Sequence, residues 1–193
     1  LTGVMAALSF AAYLFFRVPF YGGSSFHLGN TFTALAALLM DGVSGGLAGA
    51  IGLALADILA GDPGYAITTF VLKFIIGVVC GLTAHRLCRI DTADPARRLP
   101  YVLRVTVSAG SGLLVNVITD PLLGYFRNVY IFGQDYSVAQ ALAGVAGGVT
   151  LVNSLVSTAC AVLLYLAVRP ALDRAGLLPR HTSKGGLHQA KKA

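Results

Sequence analysis

Long apolar stretches, separated by short polar breaks, dominate the chain. Six of them can be distinguished, and none alternates between apolar and polar residues over the roughly ten positions typical of a barrel strand. They are also rich in Ala, Leu and Gly. Unalternated runs of this length predict helices rather than strands. We therefore expect six helical segments, with ends uncertain by a few residues: 2–16, 28–40, 44–60, 65–87, 100–123 and 137–168.

Composition decides which solvent these helices occupy. Of 193 residues, 56% are hydrophobic and only 11% are charged, whereas soluble domains carry about 25% charged residues. The mean hydropathy is +0.76. These values predict an all-α integral membrane protein with six transmembrane helices in a compact bundle. Segment 28–40 is short, because crossing a bilayer takes about 20 residues.

The basic residues indicate how the bundle is oriented. Eleven of the fourteen flank the break between the fourth and fifth segments or lie in the final tail. By the positive-inside rule both termini are cytoplasmic. The net charge of +6 is then a topology signal, and no nucleic-acid partner is needed to explain it. We expect a transmembrane domain over residues 1–168 and a basic, partly disordered cytoplasmic tail over 169–193.

Small residues form a stripe on the first segment. Gly3, Ala7 and Ala11 recur every fourth position and so share one helix face. Such a stripe can pack inside the bundle or against another protein, and spacing alone leaves both open. The glycines of the third segment, Gly45 and Gly49, favour packing within the bundle.

Three ionisable residues lie in apolar surroundings. A charge at membrane depth costs about 2.5–3.5 kcal/mol on insertion scales, so Asp57, Lys73 and Asp120 should face a partner or a cavity. A Lys73–Asp57 pair across the hairpin "GDPGY" would be either a structural ion pair or part of a ligand site. Asn116 and Asp120 share a helix face, and Pro121 tends to end or kink that helix. Asp120 can cap local backbone or contact a ligand.

Further polar and aromatic candidates lie near the same boundary. "SSFHLGNTF" places His27 and Asn30 at the start of the second segment. Asn153 interrupts the sixth segment and either bonds across helices or faces a ligand. The break before that segment is aromatic and includes Tyr125, which fits an interfacial belt or a ring-stacking ligand.

Several chemistries are not indicated. "GVSG" at 42–45 matches a short serine-protease pattern, but a tight turn explains it better. There is no Walker motif, no HExxH and no cysteine cluster. The sequence therefore predicts neither an enzyme nor a bound metal or cofactor.

The order of these features resembles a known family, the substrate-binding S components of energy-coupling factor (ECF) vitamin transporters, in the riboflavin, hydroxymethylpyrimidine or pyridoxine branch. The resemblance rests on "FHLGNTFTALAALLMDGVSGGLAGAIGLALADILAG" followed by "YAITTFVLKFIIGVVCGLTAH". It implies a multi-pass protein of the bacterial cytoplasmic membrane that captures a vitamin at the outer face. It also implies docking of the Gly3, Ala7 and Ala11 stripe on a transmembrane T subunit driven by two cytoplasmic ATPases.

Two functions follow as hypotheses. The first is a capture subunit for a small heteroaromatic vitamin, with the loop between the first two segments as a lid. The alternative is a solitary carrier that works without an energy-coupling module. The expected substrate contacts are His27, Asn30, Asp57, Lys73, Asn116, Asp120, Tyr125 and Asn153.

Overall fold

The computed structural model describes residues 1–20 and 24–178 and contains six α-helices in this range. A short antiparallel hairpin, β1 (Val18–Pro19) with β2 (Ser25–Phe26), lies between the first two helices. The helices are α1 (Thr2–Phe15), α2 (Gly29–Leu39), α3 (Gly42–Leu59), α4 (Ala66–Leu82), α5 (Arg98–Phe126) and α6 (Tyr136–Arg174).

The six predicted helices are confirmed, with differences at their ends. α5 does not end at Pro121 but continues to Phe126 and then through a π-helical turn, Arg127–Ile131. α6 likewise passes Pro170 and ends at Arg174, beyond the predicted boundary at 168. Proline is tolerated within membrane helices because neighbouring groups can satisfy the backbone carbonyl it leaves unpaired. Of the partly disordered tail predicted over 169–193, residues 169–174 belong to α6, and residues 179–193 lie outside the described residues.

Length and hydropathy support a multi-pass membrane protein. Four helical stretches are long and apolar enough to cross a bilayer: Gly42–Leu59, Pro63–Leu87, Arg98–Ile131 and Tyr136–Arg174. α1 and α2 are apolar but shorter, with 14 and 11 residues. All residues of α2 except Phe32 are buried, so this short helix is the centre of the bundle and its neighbours cover it.

Glycine allows α3 to pack closely against its neighbours. Gly45 lies directly against the backbone of Ala37 in α2, and a methyl group there would overlap it. Gly77 of α4 meets the backbone of Gly46 in the same way. The predicted role of the small residues of α3 in internal packing is therefore confirmed.

The turn between α2 and α3 is held by Asp41. Its Oδ1 accepts hydrogen bonds from the N–H groups of Val43 at 2.8 Å and Ser44 at 2.9 Å. The Ser44 hydroxyl donates to Asp41 Oδ2 at 2.7 Å. The capping hydrogen bonds lower the Asp41 pKa although burial opposes them. "GVSG", predicted as a tight turn between the second and third segments, instead forms the first turn of α3, capped by Asp41.

Alternation of the helices brings three connections together at one end of the bundle. Arg17, after α1, forms an ion pair of 2.7 Å with Asp62, after α3. Arg127, after α5, lies with its guanidinium carbon 3.9 Å from the ring centre of Tyr65. At the opposite end, Arg169 of α6 donates hydrogen bonds to the hydroxyls of Tyr101 and Tyr165.

Candidate functional site

A polar cavity lies between the helices at the end where these three connections meet. Its volume, measured as the space open to the centre of a water molecule, is about 80 Å³. Residues from every helix and every connection at that end line it. In a bundle of this hydropathy such a concentration of polar groups marks a candidate binding site.

Seven of the predicted site residues line the cavity, although they come from six different parts of the chain, five helices and one connection. The exception is Tyr125, which is not among the lining residues and whose ring lies edge-on to Phe126 at 5.8 Å. The seven are His27, Asn30, Asp57, Lys73, Asn116, Asp120 and Asn153.

The Asp57 carboxylate is held by two hydroxyl groups. Tyr13 of α1 donates a hydrogen bond of 2.6 Å to Oδ1, and Thr69 of α4 donates one of 2.5 Å to Oδ2. Asp57 is 4% exposed, so water scarcely reaches its carboxylate, and the two hydroxyl groups supply the hydrogen bonds that water would otherwise make. They also join α1, α3 and α4 at the cavity wall.

The predicted Lys73–Asp57 ion pair is not present. No carboxylate of the described residues lies within 4.0 Å of the Lys73 ammonium, although Asp120 and Asp57 attract it from a longer distance. Asp57 has taken hydroxyl partners, and Asp120 accepts a hydrogen bond of 2.5 Å from Thr150. Lys73 is only 6% exposed and lines the cavity without a protein hydrogen-bond acceptor in the described part of the chain.

Amide side chains with unpartnered oxygens line the same cavity as this lysine. The Oδ1 atoms of Asn30, Asn116 and Asn128 are buried and accept no hydrogen bond from the described protein groups. Asn153 differs, because its Oδ1 accepts a hydrogen bond of 3.4 Å from Ser157 in its own helix. A buried acceptor left unsatisfied costs about 1–3 kcal/mol. The three amides are therefore ready to accept hydrogen bonds from a molecule in the cavity.

His27 lines the cavity from the connection before α2. It is buried, and its ring centre lies 4.6 Å from that of Tyr13. Burial, together with the positive charges of Lys73 and Arg17, lowers the pKa of His27 well below its ordinary value. Its Nδ1 has no partner among the described residues, so one ring nitrogen is available for a hydrogen bond.

Several lining residues have no strong signal in the sequence. Hydroxyl residues such as Tyr13, Thr69 and Thr150 occur throughout membrane helices, and only their positions opposite Asp57 and Asp120 distinguish them. Arg127 and Asn128 fall in a polar break that reads as a loop. In the sequence they are marked by the aromatic residues near them. In the structure Arg127 stacks on Tyr65, and its guanidinium carbon lies 5.7 Å from the ring centre of Phe132.

These groups suit recognition of a polar molecule. Lys73 offers a positively charged donor, the amides offer acceptors, and the rings of Tyr13, Tyr65 and His27 offer flat walls. Among residues 1–20 and 24–178, no three His, Cys, Asp or Glu side chains are grouped so that they could hold a metal ion.

Comparison with known proteins agrees with this picture. The family model for the ECF-type riboflavin transporter, S component, matches residues 1–170. No curated protein and no solved structure matches the chain significantly. The family match spans all six helices except the last four residues of α6. The resemblance seen in the sequence is thus confirmed, and the chain belongs to the family of ECF transporter S components, multi-pass membrane proteins that bind substrate for transport and are not an enzyme family.

Proposed function

We propose that this chain captures a small, water-soluble heteroaromatic vitamin or vitamin precursor in the polar cavity and delivers it for ATP-driven import. One observation carries the proposal: the buried Lys73 ammonium and the unpartnered amide oxygens face the same cavity. A buried cation without an acceptor is costly. A ligand that brings an acceptor to Lys73 and donors to the amides would remove that cost.

The chemistry of the walls supports a narrower ligand class. Lys73 favours a carbonyl oxygen, a ring nitrogen or a phenolate, while Asn30 and Asn116 favour N–H or O–H groups. Tyr13 and Tyr65 favour a flat ring. Riboflavin, pyridoxine and hydroxymethylpyrimidine combine these features, and the family description names riboflavin. His27, Asp57, Asp120 and Asn153 complete the proposed site.

We infer six membrane crossings with both termini in the cytoplasm. Of the residues that the structure describes, the cavity end has only Arg17 and Arg127 as basic side chains in its connections, whereas the opposite end has most of the others. With the positive-inside rule this distribution supports a cavity that faces outward. The proposed lid, between α1 and α2, includes residues 21–23, which lie outside the described residues.

The partner surface is proposed on α1. Gly3 and Ala7 are exposed, and Ala11 is half-buried. Space is open around Gly3, whereas the opposite face, with Met5 and Ser9, packs into the bundle. This exposure supports docking of the stripe on a T subunit that works with two ATPases, an assembly that the S component family implies.

The decisive experiment is calorimetric titration of the purified protein with riboflavin, pyridoxine, hydroxymethylpyrimidine and other soluble vitamins. We expect one compound to bind with one-to-one stoichiometry, and Lys73→Met to weaken that binding at least tenfold. Leu114→Met is the matched control, since Leu114 is exposed on α5 and does not line the cavity. Equal affinity in wild type and Lys73→Met would contradict the assignment of the site.

A further inference from the structure

A second site candidate lies at the end of the bundle opposite the cavity. The chain between the π-helical turn Thr83–Leu87 and the first turns of α5 is strongly basic. Its two acidic residues are engaged: Asp91 contacts His85 at 2.6 Å, and Asp94 Oδ1 accepts the Ala96 N–H at 2.9 Å. The basic residues of this stretch, all exposed, are Arg86, Arg89, Arg97, Arg98 and Arg104.

These arginines have no carboxylate of the described residues in direct contact. Within the described ranges none of the five forms an ion pair with a carboxylate. Arg104 donates one hydrogen bond of 3.1 Å, from Nη1 to the carbonyl of Cys88, which fixes its side chain and leaves the rest of the guanidinium available. A fixed, uncompensated guanidinium favours an anionic oxygen ligand.

Two of the five arginines line the same groove. It lies between residues 92–94 and the start of α5 and has a volume of about 320 Å³. Arg97 and Arg104 contribute positive charge and Tyr101 an aromatic wall, while Asp94 contributes one carboxylate, whose Oδ1 accepts the Ala96 N–H. The hydroxyl of Thr92 also lines the groove and donates to the carbonyl of Arg89 at 3.2 Å. The groove therefore places two cations beside one partly engaged carboxylate, which leaves a net charge of +1 for an anion.

The position of the groove points to the source of the anion. α5 begins a stretch long and apolar enough to cross a membrane. Immediately beside the groove, Leu99, Leu103 and Val107 form an exposed apolar stripe at four-residue spacing, with exposures of 71%, 55% and 55%. An anion bound here lies next to an apolar surface that can hold an acyl chain. The phosphate of a membrane lipid matches this arrangement, because it is attached to acyl chains.

We propose that the groove binds the phosphate-bearing headgroup of an anionic phospholipid, with the acyl chains along the apolar stripe of α5. Phosphate contacts Arg97 and Arg104, and the hydroxyl of Thr92 lies within the same groove. This site is separate from the polar cavity and does not depend on which vitamin the cavity holds.

The test is retention of phosphatidylglycerol by the delipidated full-length protein, measured by native mass spectrometry against phosphatidylcholine. Wild type should retain one phosphatidylglycerol in preference to phosphatidylcholine. Arg97→Gln with Arg104→Gln should lower its retention on the order of tenfold. The control Arg86→Gln with Arg98→Gln removes the same charge from the same stretch but outside the groove, and should change retention less than twofold.

Three results would overturn the proposal. Equal loss in both double variants would mean diffuse attraction to a basic rim. Equal retention of the two lipids by wild type would mean no headgroup site. Complete displacement of the lipid by inorganic phosphate at millimolar concentration would mean a site for the free anion. Because wild type alone decides the second and third results, a variant that fails to fold does not leave the proposal untested.

Discussion

Single side chains at the cavity wall have several roles. Tyr13 illustrates this, because its hydroxyl binds Asp57 while its ring lies against His27 and within 5.2 Å of the Arg17 guanidinium. One residue of α1 therefore connects the wall of the cavity to the hairpin that follows α1. Any change in that residue should be measurable in stability as well as in binding.

Tyr13→Phe should destabilise the protein by about 1–3 kcal/mol, because it leaves a buried carboxylate short of one donor. The measurement is denaturant unfolding in detergent micelles. Tyr136→Phe is the control: Tyr136 is 66% exposed, and its change should stay within about 0.5 kcal/mol. If the two variants were equally stable, the Tyr13–Asp57 hydrogen bond would contribute nothing to the free energy of unfolding.

His27 predicts a dependence of stability on pH. Its pKa in the folded protein is depressed by burial and by nearby cations, so below about pH 6.5 the unfolded chain takes up a proton that the folded chain does not. Stability is therefore retained above the unfolded pKa and lost as the pH falls below it. This loss amounts to at most about 1.4 kcal/mol per pH unit for one group.

Thermal unfolding of wild type and His27→Gln at pH 7.5, 6.5 and 5.5 measures this effect. Wild type should lose more stability than His27→Gln between pH 6.5 and 5.5, while the two should run parallel between 7.5 and 6.5. The other histidines are present in both proteins and cancel in the comparison. Parallel curves down to pH 5.5 would show that His27 is not buried as a neutral ring.

At the scale of secondary-structure elements, close contact between helices depends on glycine residues, which have no side chain. α3 touches α2 and α4 through glycine on backbone, as at Gly45 against Ala37 and Gly77 against Gly46. Because backbone cannot move aside as a side chain can, these contacts tolerate no added methyl group.

Gly77→Ala should therefore destabilise the protein by about 1–3 kcal/mol or more, the usual cost of overpacking. Gly148→Ala in α6 is the matched control, since nothing lies within 4 Å of its added methyl group. Alanine is the better helix former, so the control should be neutral or slightly stabilising. Thermal melting followed by size-exclusion chromatography compares them. A Gly77→Ala protein as stable as wild type would show that α3 and α4 are further apart.

A cation–π contact between two connections should also contribute to stability. The stacking of Arg127 on Tyr65 links the connection after α5 to the one before α4. A partly buried cation–π contact is worth about 0.5–2 kcal/mol. A double-mutant cycle with Tyr65→Leu and Arg127→Met should give a coupling energy in that range. Additive effects of the two substitutions would indicate no direct interaction.

At the scale of the whole molecule, α1 lies between the cavity and the surface proposed to dock on a T subunit. The proposed docking stripe lies on α1, and the opposite face of the same helix places Tyr13 at the cavity. In the proposed function, binding and docking use two faces of one helix, so substitutions can separate them.

Ala7→Leu with Ala11→Leu should leave ligand affinity unchanged within about twofold and abolish co-purification with a T subunit, because bulky residues prevent close helix approach. Ala159→Leu, at an exposed position of α6, should affect neither property. Uptake of the vitamin by cells that express the Ala7→Leu, Ala11→Leu variant but lack the T and ATPase subunits would instead favour the solitary carrier.

Local chemistry explains how much of this protein could be predicted. Helices follow from runs of neighbouring apolar residues, and Asp57, Lys73 and Asp120 stand out because each charge is costly where it lies. The pairing of these groups does not follow. Lys73 was expected to meet Asp57, but Asp57 bonds to Tyr13 and Thr69.

The sequence by itself determined the membrane class, the six helices and the family, because each depends on hydropathy or on motifs that neighbouring residues form. Only the tertiary structure decided which polar atoms pair and which stay free. That choice depends on the rotation of each helix about its axis and on how closely glycine lets the helices approach. Those quantities arise from many weak contacts between residues far apart in the chain, such as Tyr13 with Asp57 and Asp120 with Thr150.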